Sequence, residues 1–473
     1  MTETAAHSVR VVISIAQADL GESTRAVELA RAIEASCPGG WRAEIIFLTH
    51  GGPFAKTVDE AGFSSWECRP RIAGVSFRED LQSKEPEFIG DPLIAESMIK
   101  GESAALSALR PDVVLHGFWP PASIASRMLG IPTICFLSLP MHPDTLMSRN
   151  FLRDIPDPAK LLTYLPRPVR RRLAALIPRR AIAAVPMFAQ RNIRVGAERA
   201  GWEGVPLQHI WDMLSADLTI VNDLPDFYED VRLPLGFRLT GPLFASAAGD
   251  EEIELGIAAL FGPRERRPKV LCTMGSSAKP EQLLAAVAAL TGGVARDWNS
   301  VIVVPPAICP LELVRRHVGD AEHVYLTDRF VPAPLVNELA DVVVSHGGQG
   351  TVQTAVSTGT PVVGFGVQTE QQLNLDRVVE AGAGIRLPIH RWKPAAIRRA
   401  VNKVLTEPAY EERARLLQRR FAAVDGRTAA GREIWHWLVD EDRTASRHVR
   451  QAMHKGAGTS KPKGSLGAVL DGT

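Results

Sequence analysis

Cysteine is scarce. Five thiols, Cys37, Cys68, Cys135, Cys272 and Cys309, are scattered over 473 residues with no CxxC pair. That excludes a disulfide scaffold and offers no metal-ligand spacing; the thiols read as small buried side chains in a reducing compartment. Excess charge is missing too: 54 Lys and Arg face 53 Asp and Glu, a net charge of +1. No global attraction to nucleic acid follows, so no nucleic-acid partner is expected. No apolar run is long enough to span a bilayer. The N-terminal run Val11 to Ala16 is short and is followed by Asp19 and Glu22, which marks a first strand rather than a secretory signal. The expected location is therefore cytoplasmic. What is present is ordinary for a soluble globular protein: 45% apolar and 23% charged residues, with length for two large domains or three smaller ones.

Strands alternate with helices from the start. Val9 to Ile15 reads as a strand, Ala16 to Ser23 as a loop, and Thr24 to Ala35 as a helix with Val27, Leu29, Ala30 and Ile33 on one face. Glu44–Leu48, an extended stretch over Val58–Cys68, Asp112–His116 and Thr133–Leu137 read as further strands, with helices at Ser103–Leu109 and Pro121–Leu129. That alternation predicts an α/β fold with parallel sheets covered on both faces. Ligands in such sheets sit beyond the carboxyl ends of the strands. A second set begins at Lys269–Thr273, ending in Gly275-Ser276-Ser277, and continues through Ser300–Val304 and His323–Leu326.

The densest signal lies between Asp341 and Leu387. An apolar run, Val342 to Val344, leads into a Gly-rich turn, Ser345 to Gly350, and a helix opening at Thr351. Glycines let a backbone approach a ligand, and the first N–H groups of a helix have no partner inside it. That end is positive and suits a phosphate. His346 stands at the lip of the turn, and Glu370, Gln371 and Asn374 fall within one helical turn, a set suited to hydroxyl groups.

These residues resemble the donor signature of family 1 glycosyltransferases, the UDP-glycosyltransferase superfamily, of the bacterial macrolide-glycosyltransferase kind. The parts are His346-Gly347-Gly348-Gln349-Gly350-Thr351, Gly359-Thr360-Pro361, Glu370-Gln371-Gln372-Leu373-Asn374 and Gly382-Ala383-Gly384, in the family's order and spacing. The resemblance implies a GT-B fold, two Rossmann-like domains facing each other across a cleft. It divides the chain into an acceptor-binding domain (1–240), a nucleotide-sugar-binding domain (241–425), a helix crossing back (426–441) and a disordered tail (442–473). It implies an inverting, metal-independent transfer of a sugar, a hexosyl group, from a UDP- or dTDP-linked donor, with no bound cofactor. The acceptor is a small molecule or lipid, attacked through a hydroxyl, as in natural product biosynthesis. Gly275, Ser276, Val331, His346, Gly348, Gly350, Thr351, Glu370 and Gln371 are the donor-binding candidates. Phe118, Trp119, Met141 and His142 are the acceptor-side candidates. Oligomeric state is not legible.

Two departures from the family pattern stand out. Aligned through Leu29-Ala30, Glu22 occupies the place of the family's catalytic histidine, and His116 ends the strand where its helper aspartate is expected. A Glu22–His116 pair sharing the base role in reversed order is one reading, with Asp19 in reserve. The other has Glu22 favouring the helix start and His116 as a satisfied strand-end residue. Thr354 replaces a glutamate that grips the ribose in many UDP-sugar users, and a threonine cannot make that bidentate contact. An epimerase or hydrolase on the same scaffold, or a catalytically silent sugar-nucleotide-binding partner, stays open. Asp440-Glu441-Asp442 has the letters of a metal-binding triplet but sits at the tail junction, and no metal is expected.

From Lys160 to Ala197 there is no Asp or Glu, while Lys160 and eight arginines crowd in. One reading is a basic surface touching anionic lipid or an anionic acceptor, a peripheral membrane contact through 160–194. The other is a pair of helices with solvated arginines, broken at Pro166, Pro168 and Pro178.

Overall fold

The computed structural model describes residues 7–18, 20–146, 148, 151–177, 185, 188–243, 252–275, 278–329 and 331–439. Asp19, Ser276, Arg179, Arg180 and the Asp440–Asp442 triplet lie outside them. Two parallel sheets form. The first contains β1 (His7–Ser14), β2 (Trp41–Thr49), β3 (Ser64–Glu67), β4 (Val113–His116), β5 (Thr133–Leu137), β6 (Leu218–Val221) and β7 (Phe237–Leu239), ordered 3-2-1-4-5-6-7. The second contains β8 (Lys269–Thr273), β9 (Asn299–Val303), β10 (Val324–Thr327), β11 (Val342–Ser345), β12 (Val362–Gly364) and β13 (Gly384–Arg386), ordered 10-9-8-11-12-13. Central strands such as Val342–Val344 are unbroken apolar runs because helices bury both faces.

Strand order reverses between β1 and β4 in one sheet and between β8 and β11 in the other. Such switch points leave a crevice at the carboxyl ends of the strands. The loops after β1 and β4 carry the catalytic candidates; those after β8 and β11 carry Gly275 and His346.

Seven helices position the site: α1 (Leu20–Ala35), α2 (Pro92–Leu109), α3 (Pro120–Met128), α4 (Arg167–Ala174), α5 (Gln349–Thr358), α6 (Thr369–Glu380) and α7 (Gly426–Val439). Apolar residues of α1 and α7 share a core with Val11, Ile13, Val113 and Leu115, one face of the first sheet. Residues of α2 and α3 pack with Val12 and Val114 on the other. Trp435 of α7 donates to the Ile33 carbonyl of α1 at 2.7 Å.

Local differences from the sequence reading have local causes. The first helix starts at Leu20, not Thr24, so Glu22 belongs to its first turn, where an acid favours the helix dipole. The extended stretch over Val58–Cys68 divides into a helical turn, Lys56–Glu60, and β3, separated by Gly62 at φ +84°. The donor helix opens at Gln349, two residues before Thr351.

Chain from the first lobe lies against the second. Arg386 of β13 meets Asp157 at 2.5 Å, Asp376 at 2.6 Å and Asp154 at 3.4 Å, all buried. The Asp157 carboxylate also accepts from the Ile389 N–H at 2.6 Å. Arg377 donates to the Phe227 and Phe151 carbonyls and lies 4.7 Å over the Tyr228 ring.

Candidate active site

The donor half is built around one imidazole. His346 follows β11 and is buried. A Cβ at Gly275 would stand 2.6 Å from its Cε1, and one at Gly348 2.7 Å from its Nε2. The ring is thus wedged between two backbones that only glycine permits so close. Burial pushes its pKa down to about 4, so the imidazole is neutral near pH 7. Its buried Nδ1 has no hydrogen-bond partner among the described residues. Gly348 caps α5 without a side-chain hydrogen bond, so the N–H groups of Gln349, Gly350 and Thr351 begin the helix open. Gly350 is exposed, with free space where a side chain would project. Val331 is half-buried beside this helix layer.

The Glu370, Gln371 and Asn374 set divides by task. Asn374 donates to the Gly347 carbonyl at 3.1 Å and so holds the Gly-rich turn. The Gln371 side-chain oxygen accepts from Val367 N at 2.8 Å and Gln368 N at 3.1 Å, shaping the entry to α6. Glu370, half-buried in the first turn of α6, has no hydrogen bond or ion pair among the described residues. Its carboxylate is the open acceptor of the three.

Across the cleft, Glu22 is 4% exposed and its Oε1 accepts from the Phe118 N–H at 2.5 Å. A Cβ at Gly117 would lie 2.1 Å from that oxygen, so the glycine after β4 admits the carboxylate. His116 does not join it. The residue alternates with Leu115, so its side chain faces the α2 and α3 layer while Glu22 rides on α1. His116 Nδ1 pairs with the Gly117 carbonyl at 3.0 Å, and Nε2 has no partner among the described residues. Burial pulls this ring down to about 4. The Glu22–His116 pair expected from sequence is therefore not a hydrogen-bonded pair: the pleat turns one member to each side of the sheet.

Three residues that the sequence reading gave no site role, Arg25, Gln349 and Gln353, join the halves. Gln349, the variable position of the Gly-rich turn, donates to the carbonyls of Ser138 at 3.0 Å and Asn222 at 2.9 Å. Its oxygen accepts from Arg25 Nη1 at 3.1 Å. Arg25 is three residues after Glu22 on α1, so acid and guanidinium share a face, and no carboxylate pairs with Arg25 among the described residues. Gln353 extends the seam, donating to the Asn222 carbonyl at 2.9 Å and the Asp223 carboxylate at 3.3 Å. Burial raises Asp223 to about 6. The helical spacing of Glu22 and Arg25 was the available signal.

Three comparisons bear on what this site does. A family model described as the C-terminal domain of erythromycin biosynthesis protein CIII-like proteins matches residues 314–428. A PGL/p-HBAD biosynthesis glycosyltransferase of Mycobacterium tuberculosis is 26% identical over 331 residues, 68% of this chain and 70% of that protein. The 4'-demethylrebeccamycin synthase of Lentzea aerocolonigenes is 31% identical over 217 residues, 45% and 48% of the two chains. By these matches the chain is a glycosyltransferase, and it resembles family 1 of those enzymes. Its fold is GT-B: the solved glycotransferase of kitacinnamycin matches with a TM-score of 0.61 at 22% identity, covering 92% of this chain and all of that one.

In this glycosyltransferase the acceptor-side candidates do not form one wall. Phe118 is half-buried, edge-on to Phe88 at 5.0 Å between centroids, and Met141 packs at the rim of the same core. His142 lies 5.5 Å from the Phe237 ring, and burial lowers its pKa. Trp119 is instead 2% exposed, with Nε1 donating to Glu102 at 2.8 Å. An indole buries when its N–H finds an acceptor, and here the acceptor lies in the core.

That Glu102 anchors a buried cluster. Ser14 Oγ donates to it at 2.7 Å, and His50 Nε2 lies 3.2 Å away. With Cys68 these are the residues that sit close enough to share a metal ion among the described ones. His50 Nδ1 donates to the Pro70 carbonyl at 2.8 Å, so Nε2 faces a carboxylate and carries a proton when paired with it. Glu102 raises the His50 pKa against the opposing effect of burial, and burial drives the Cys68 thiol up, away from thiolate. No described helix is long and apolar enough to cross a membrane.

Proposed function

We propose that the enzyme moves a sugar from a nucleotide diphosphate donor to a hydroxyl of a small-molecule or lipid acceptor in natural product biosynthesis, with inversion at the anomeric carbon. The observation that carries this reading is the Arg25–Gln349 contact: it sets the first turn of α1, with Glu22, against the open first turn of α5. The diphosphate would meet the N–H groups of Gln349, Gly350 and Thr351, with neutral His346 as a donor beside them. These groups stabilise the charge that develops on the leaving diphosphate. Donors of this kind call for no metal, and Arg25 adds a cation from the opposite lobe. Glu370 would hold sugar hydroxyls and orient the ring.

Glu22 is the base we assign. Its Oε1 is fixed by Phe118 N–H, and the carboxylate can take the acceptor proton as the hydroxyl oxygen attacks the anomeric carbon. The C–O bond to the diphosphate breaks on the opposite face, which inverts the centre. Hexosyl donors linked to UDP or dTDP are the candidates. Incubation with each donor and a panel of hydroxylated acceptors, read by the anomeric coupling of the product in NMR, tests the assignment. Transfer with inverted configuration is expected. Release of free sugar or of an epimerised donor, equally fast without acceptor, would overturn it.

A further inference from the structure

The acid-free segment carries an apolar stripe on its outside. Leu161 is 85% exposed, Leu162 40%, Tyr164 64%, Leu165 37%, Val169 41% and Leu176 66%. These residues belong to the 3-10 turn Lys160–Tyr164, to α4 and to the residues beside them. On α4 the spacing of Val169 and Leu173 puts apolar side chains on one helical face, and Leu176 follows in the turn after it. A helix in a soluble domain normally turns that face inward.

The opposite side of the segment explains why the stripe is held out. Arg167 Nη1 donates to the Val379 carbonyl at 2.9 Å, Arg170 pairs with Asp154 at 3.0 Å, and Arg171 pairs with Glu380 at 2.5 Å. Thr163 Oγ1 lies 3.2 Å from His390 Nε2. The polar residues therefore tie the segment to the end of α6, and the apolar ones are left on the water side. Neither sequence reading foresaw this: Arg167 and Arg171 are spent on the other lobe, and Arg170 on Asp154 of its own lobe, rather than on solvent or lipid. Lys160 and Arg172 remain exposed beside the stripe, and no acid lies between Lys160 and Ala197.

We propose that this face rests on an anionic membrane surface. Exposed leucines with flanking cations match the boundary between acyl chains and acidic headgroups, where apolar burial and charge attraction add. A second copy of this chain fits less well, because a two-fold contact would set Lys160 and Arg172 of both copies face to face without a compensating acid. The face lies at the end of α6 remote from Glu370, about 15 Å along the helix at 1.5 Å per residue. A membrane docked there would lie beside the cleft without closing it, so an acceptor dissolved in the bilayer would have a short path to the site. The docking itself does not depend on the proposed sugar transfer.

Flotation of the full chain with vesicles tests it, using phosphatidylcholine alone and phosphatidylcholine with 30% phosphatidylglycerol, at about 50 and 300 mM salt. Binding to the anionic vesicles that weakens with salt is expected. The double variant Leu161→Ser/Leu176→Ser should bind them at least about tenfold more weakly, while its thermal shift with UDP or dTDP stays that of the parent. Failure to float with either vesicle, or equal flotation of parent and variant, overturns the proposal. So does a concentration-dependent dimer, read by light scattering, that the double variant abolishes, since that assigns the face to a second copy. None of these outcomes touches nucleotide binding, which is scored separately.

Discussion

Replacing Glu22 by glutamine separates its two tasks. The carboxylate oxygen that accepts from Phe118 N–H at 2.5 Å is matched by the amide oxygen of glutamine, and Gly117 leaves room for either group. The hydrogen bond survives, so stability should change by less than about 1 kcal/mol. The proton acceptor does not survive, since an amide cannot take the hydroxyl proton. General-base assistance contributes about 10²- to 10⁴-fold, so kcat should fall at least about a hundredfold. Nucleotide affinity should stay within about twofold, because the N–H donors and His346 assigned to the diphosphate lie in the other lobe and Arg25 is unchanged. Glu22→Ala adds a fold cost: the Phe118 N–H is left without its acceptor, about 1–3 kcal/mol. His116→Asn is the contrasting variant. Its ring faces the α2 and α3 layer and is not bonded to Glu22, so it should alter stability and leave kcat within about threefold. The assay is initial-rate turnover with any donor–acceptor pair the enzyme accepts, alongside urea unfolding of each variant. A kcat for Glu22→Gln near that of the parent, or a collapse of kcat in a stably folded His116→Asn, would refute the assignment of the base.

Arg25→Gln should weaken binding of a nucleoside diphosphate about tenfold and leave the corresponding monophosphate nearly unaffected, with Arg25→Lys intermediate; calorimetric titration of both ligands reads the difference. His346 is held neutral at a pKa of about 4 against an ordinary 6.5. The folded state thus gains relative stability above pH 6.5 and loses it as pH falls towards 4, by roughly 3 kcal/mol at most. His346→Asn should flatten that part of the urea-stability profile, and an unchanged slope would count against the burial argument. Arg386→Ala strands the carboxylates of Asp154, Asp157 and Asp376 in the seam, so unfolding free energy should drop by about 3–5 kcal/mol. Transfer measured with and without EDTA should be equal, since the groups we assign to the diphosphate are N–H donors; loss of rate on chelation, restored by a divalent cation, would contradict that.

The donor half was legible because its chemistry is local. A Gly-rich turn between a buried strand and a helix is written in adjacent letters, and His346 to Thr351 lie between β11 and the first turn of α5 as those letters predict. The catalytic half was less legible. Glu22 and His116 are far apart in sequence, and nothing in their order says that the pleat sends one to each face of the sheet. Trp119 is an acceptor-side candidate from its place just after the strand Asp112–His116; the buried acceptor that holds it, Glu102, lies 17 residues earlier on a separate helix. The basic segment misled for the same reason. Its charges look solvated until Val379 and Glu380 are brought beside them by the meeting of two lobes.

That meeting bears on how the reaction could be timed. Contacts between lobes converge on α5 and α6, the helices assigned to the donor. Gln349 and Gln353 tie α5 to the loops after β5 and β6, and Asp157 N–H donates to Gln372 of α6 at 3.2 Å. Arg377, on the same helix, reaches two carbonyls of the first lobe. A donor that pulls on the open turn of α5 therefore pulls on residues that also hold the acceptor lobe in place. Gln349 is the shortest such link, since its backbone N–H is one we assign to the diphosphate and its amide group meets Ser138, Asn222 and Arg25. Gln349→Ala leaves that backbone donor intact and removes the link. Nucleotide affinity should change by less than about threefold, while kcat falls by about tenfold or more, because Glu22 and the sugar would no longer be held in one register. If kcat and nucleotide affinity instead drop together, the side chain supports the donor pocket itself, and coupling between the lobes runs elsewhere.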